Sequence, residues 1–92
     1  MKRDMEIIRQ ILLNVEADKY VVGERVHLEG VSNQVCGHHV ALILDEGLAE
    51  GRVMRSSSVG IAAGIIERLT SRGHDFCDGI RQEPAPARVA AP

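Results

Sequence analysis

The stretch Ser32-Asn33-Gln34-Val35-Cys36-Gly37-His38-His39-Val40-Ala41-Leu42-Ile43-Leu44-Asp45-Glu46-Gly47-Leu48 decides the fold. Ser32 stands where an N-cap belongs, because its hydroxyl can accept from a backbone N–H that the first helical turn leaves unpaired. Cys36, Val40, Ile43, Leu44, Gly47 and Leu48 follow close to one helical face. Gly47 suits the left-handed position just beyond a helix, and Leu48 is then placed to fold back onto the core in a Schellman-type ending.

Toward the C-terminus, Arg52–Arg55 and Ile65–Leu69 read as two strands, joined by a flexible connection that contains Ser56-Ser57-Ser58, Gly60 and Gly64. Thr70 or Ser71 then caps a last helix in which Phe76, Cys77 and Ile80 supply apolar contacts. Toward the N-terminus, Met5, Ile7, Ile8, Ile11, Leu12 and Val15 recur at spacings of three and four. That spacing predicts a helix over 4–17 with Asp4 as its cap and Glu6, Arg9, Gln10, Asn14 and Glu16 on its solvated face. Between the two long helices, Tyr20, Val21 and Val22 favour extended structure. Val26-His27-Leu28-Glu29 alternates as a short strand would, and Gly30 marks a turn.

The resulting order of helix, helix, hairpin and helix predicts an α+β domain: a winged helix-turn-helix-like fold of three helices with a β-hairpin wing in the C-terminal half. At 92 residues the chain has room for one core. That domain is expected over residues 1–81, with 82–92, rich in Pro and Ala, as a disordered tail. Hydrophobic residues make up 45% and charged residues 26%, a globular balance. Tyr20 and Phe76 are the only large rings, so the core must be aliphatic. Cys36 and Cys77, in a chain with no signal peptide and no apolar run of spanning length, point to the reducing cytoplasm. A net charge of −2 offers no general attraction for a phosphate backbone.

Two fragments carry a resemblance. Residues Gly37 to Leu48, with a terminal Gly-Leu and a hairpin after it, resemble the helix of many winged-helix proteins. Leu69-Thr70-Ser71-Arg72-Gly73 is similar to the element by which such domains leave the second wing strand. A closer resemblance, over about residues 1 to 81, is to the small bacterial and phage-associated family called domain of unknown function 2513. It rests on Met1-Lys2-Arg3-Asp4-Met5 with Ile8-Arg9 and Ile11-Leu12-Leu13 at the start. At the end it rests on Leu69-Thr70 through Gly73-His74-Asp75-Phe76, with Asp78 and Ile80-Arg81. The chain departs from the family pattern at Cys36 and Cys77, where aliphatic residues are expected, and at Ser71 or Arg72, where an aromatic is expected. The resemblance implies no activity that transfers residue by residue, but it implies a phage or mobile-element context.

Cys36 with His39, and His74 with Cys77, each lie three apart on a helix and make a tetrahedral zinc set on paper. The plainer reading is that both cysteines fill core positions as small hydrophobes, and no metal or other cofactor is expected. No nucleophile–base order, phosphate-cradling loop or carboxylate pair stands out, so no catalysis is expected. Two binding readings remain, with possible homodimerisation. In the first, the helix that begins at Ser32 enters duplex DNA, showing Asn33, Gln34, His38 and Ala41 while Arg52 and Arg55 in the wing touch phosphates. Against it, that helix holds no Lys or Arg and ends in Asp45-Glu46, and Lys2, Arg3 and Arg25 add a basic patch only if the fold gathers them. In the second, a protein partner, such as a host protein bound by a phage-encoded inhibitor or adaptor, contacts the apolar wing residues Val59, Ile61 and Ile65.

Overall fold

A computed structural model describes residues 2–82; Gln82, the first residue of the expected tail, ends a helix, and residues 83–92 of that tail lie outside the described residues. Five elements follow one another: α1 (Met5–Glu16), α2 (Asn33–Asp45), β1 (Ala49–Ser56), β2 (Gly60–Leu69) and α3 (Ser71–Gln82). Three helices and an antiparallel two-stranded hairpin in the C-terminal half make this an α+β fold of winged-helix-like order.

The ends of the helices follow from local chemistry. The Asp4 carboxylate accepts the Glu6 N–H at 2.9 Å, and the Ser32 hydroxyl accepts the Val35 N–H at 3.1 Å. Gly47, at φ +72°, closes α2: its N–H reaches the Leu44 carbonyl at 3.0 Å, and the Leu48 N–H reaches Ile43 at 3.1 Å. Those two bonds are the Schellman pair, and they turn Leu48 inward to 7% exposure. Thr70 joins α3 to this turn, because its hydroxyl donates to the Gly47 carbonyl at 2.6 Å and accepts the Gly73 N–H at 3.1 Å.

The core is aliphatic, with Ile11, Leu12, Val26, Val40 and Ile43 almost wholly buried together with Cys36 and Cys77. α2 lies on β2 at close range, since a Cβ on Gly37 would stand 2.8 Å from the Ala63 backbone and one on Gly64 would stand 2.5 Å from the Val40 Cβ. This closeness explains why β2 starts earlier than predicted. Apart from Ile61, residues 60–64 lack strong strand formers, but Ala63 and Gly64 are buried under α2 and the ladder continues past them, pairing Gly64 with Val53 and Gly60 with Ser56. The expected flexible connection shrinks to residues 57–59, pinned by a 3.2 Å bond from the Val59 N–H to the Ser56 hydroxyl. Register shifts at Glu50/Gly51 and Met54/Arg55 bulge the hairpin.

The short strand expected over Val26–Glu29 does not form. Val26 donates one backbone bond to the Gly64 carbonyl at 2.7 Å, and Leu28 makes an isolated bridge to Val31. The Tyr20 hydroxyl takes the His27 carbonyl at 2.9 Å, removing an acceptor that a ladder would use, and Gly30 turns the chain back at once. The segment therefore lies along the free edge of β2 as a strap.

Candidate functional site

The outward stripe of α2 runs Gln34, His38, Ala41, Asp45, which is a helical spacing of four, three and four. Asn33 and Gln34 are exposed in the first turn, while His38 and Ala41 are partly covered. The wing tip approaches this stripe. Gln34, His38, Val59 and Ile61 line one shallow recess of about 190 Å³. Gln34 and His38, expected to read bases, and Val59 and Ile61, expected to meet a protein, thus share a surface.

Val59 is 48% exposed at the wing tip and Ile61 is partly buried beside Gly37. Ile65 is placed differently from expectation. At 4% exposure it is turned into the domain, because β2 is covered on both sides from Ala63 to Ile66 instead of alternating. It offers no surface to a partner.

The cations are divided. The Arg52 guanidinium is engaged by Glu67 across the hairpin at 3.3 Å, whereas Arg55 is exposed and in no ion pair among the described residues. Arg25 reaches the start of α2, where it shares a recess with Asn33, Glu24 and His27. Arg3 does not join it, since it lies in a separate groove with Arg72, Asp45 and Glu46. The strap that carries Arg25 is placed by the Gly30 turn and the Val26 bond to Gly64, neither of which follows from periodicity.

His38 brings no charge at neutral pH, because burial, with help from the adjacent His39, holds its imidazole below the ordinary value. Its ring meets that of His39 edge-on, at 5.3 Å between centroids. His39 itself is 1% exposed and committed to structure, accepting the Asp4 N–H at Nε2 and bonding the Val35 carbonyl through Nδ1. Cys36 and Cys77 are buried core thiols, and burial pushes both above the ordinary thiol value. His74 is exposed on α3, and among the described residues no group of three or more His, Cys, Asp or Glu side chains is gathered to hold a metal ion.

The outward stripe of α2, the wing and the strap together define the class: a small winged-helix-like α+β domain with a mixed polar and apolar face at the start of α2. The family model described as "Hypothetical protein (DUF2513)" matches residues 2–89, and the chain belongs to that family. No curated protein and no solved structure matches it. Among the described residues no helix is long and apolar enough to cross a membrane.

Proposed function

We propose that this domain is a non-catalytic DNA-binding module, of the kind that serves as a transcriptional regulator in a phage or mobile element, and that it presents the first half of α2 to the major groove. The observation that carries the reading is the placement of Arg25 beside Asn33 at the start of α2, with Gln34 and His38 on the adjoining outward stripe. Asn and Gln side chains pair bidentately with adenine edges, and the helix N-terminus favours a phosphate. In this reading the exposed Arg55 in the wing and Arg25 in the strap are the phosphate contacts, and Asp45-Glu46 lies at the far end of α2. Cytoplasmic residence fits this role.

A second reading has its own support. Val59 and Ile61 give the recess against Gln34 and His38 an apolar wall, which suits a protein partner better than a phosphate backbone. Salt separates the two. With two or three phosphate contacts, the logarithm of the affinity for duplex DNA should fall against the logarithm of salt concentration with a slope of about −2 to −3. Arg25→Ala and Arg55→Ala should each reduce that slope by about 1. Absence of duplex binding, or binding indifferent to salt, would overturn the DNA reading and leave the apolar wall as the contact surface.

A further inference from the structure

Three helix ends meet at one groove on a face distinct from the recess between α2 and the wing. The groove encloses about 270 Å³, with Ile8, Leu42 and Phe76 in its floor, Met5 at its mouth and Arg3, Arg72, Asp45 and Glu46 on its rim. Each rim charge occupies the helix end whose dipole disfavours it. Arg3 immediately precedes the N-cap of α1, and Arg72 lies in the first turn of α3. Asp45 and Glu46 are the last residue and the C-cap of α2. None of the four enters an ion pair among the described residues, whereas Arg9, Arg52, Arg68 and Arg81 all find carboxylates. Within one chain the groove sets Arg3 and Arg72 near Asp45 and Glu46 without an ion pair among the described residues, which leaves all four side chains available to a second molecule.

We propose that this face is where a second copy of the chain docks. A twofold interface must be complementary to itself, and an apolar floor ringed by two cations and two anions meets that condition. Arg3 and Arg72 of one copy face Asp45 and Glu46 of the other, placing each cation at the negative end of the other copy's α2. Met5, 39% exposed at the mouth of the groove, is the side chain that enters the second copy. The wing and the start of α2 take no part, so this dimer stands or falls independently of DNA binding.

Sedimentation equilibrium of the full chain tests the proposal, with two charge-reversed variants, Arg3→Glu/Arg72→Glu and Asp45→Lys/Glu46→Lys. The wild type should show a reversible monomer–dimer equilibrium. Each variant alone should dimerise at least about tenfold more weakly, because like charges then meet. An equimolar mixture of the two should recover a heterodimer of wild-type strength. Circular dichroism reports whether the variants remain folded, and Met5→Asp, at an exposed position, provides a second disrupting change. A wild type that stays monomeric at the highest attainable concentration overturns the proposal. So do folded variants that dimerise unimpaired, or that fail to recover as a mixture.

Discussion

The Nε2 of His39 accepts the backbone N–H of Asp4 at 2.9 Å, tying the start of α1 to the middle of α2 across 35 residues of chain. The Val35 carbonyl, 2.8 Å from Nδ1, can only accept, and the Asp4 N–H can only donate, so the ring proton sits on Nδ1. Both nitrogens are used in a ring that is 1% exposed. His39→Ala should therefore lower stability by about 2–4 kcal/mol, through a cavity and an orphaned donor. His39→Phe fills the space with a somewhat larger ring, so its cost should come from the two lost ring bonds and a tighter fit, about 1–3 kcal/mol. Urea denaturation of both variants measures the difference, and an alanine variant of wild-type stability would show that the joint contributes nothing.

The glycines of this chain serve different ends: Gly37, Gly51, Gly64 and Gly73 permit close contact, Gly23, Gly30, Gly47 and Gly60 adopt positive φ, and Gly79 only weakens a helix. Gly64→Ala drives a methyl into Val40 and should cost about 1–3 kcal/mol. Gly79, inside α3, has nothing within 4 Å of an added Cβ, so Gly79→Ala should raise stability by up to about 1 kcal/mol. Thermal melts of the pair read opposite signs.

Much of the fold was legible because its punctuation is local. Asp4, Ser32 and Thr70 act as the caps that their side chains and positions announce, and Gly47 terminates α2 as its place before Leu48 predicts. What was not legible depended on approach in three dimensions. Residues 60–64 look like a flexible linker because all but Ile61 are small, yet Ala63 and Gly64 are small where α2 rests on them. The same cover on both faces hides Ile65, which period-2 reasoning leaves free to face a partner. At the candidate site, Gln34 and His38 follow from helical spacing, and Asn33 from its place in the first turn after the Ser32 cap. The arrival of Arg25 next to Asn33 depends on a strap with a single backbone bond to β2, and no periodic signal encodes that.

Both cysteines should resist thiol reagents in the folded protein. Each is fully buried and its thiol is pushed up by that burial. Alkylation near neutral pH should thus proceed at the rate of unfolding and accelerate sharply in denaturant. The linkage has a definite sign. A thiol value raised on folding favours the native state fully below the ordinary thiol range, about 8.5, and that contribution is lost as pH climbs through the raised values. Stability should decline on the alkaline side, and Cys36→Ala/Cys77→Ala should flatten that decline. Rapid labelling of the native protein would contradict the account.

His38 gives the proposed DNA contact a pH dependence. Held below the ordinary imidazole value of about 6.5, it is neutral at pH 7 and gains its charge only on further acidification. Affinity for duplex DNA should therefore rise as pH is lowered below that value, and His38→Ala should remove the rise. Fluorescence anisotropy at fixed salt from pH 7.5 to about 5 follows this effect, and a wild-type profile identical to that of the variant would remove His38 from the interface.

Amide chemical-shift mapping of the full chain titrated with duplex DNA tests the central claim most directly. The account predicts that the perturbed resonances cluster at Arg25, Asn33, Gln34, His38, Arg55 and Val59, and that Met5, Asp45, Glu46 and Arg72 stay unmoved. Perturbations centred on that second group, or none at all at saturating duplex, would contradict it.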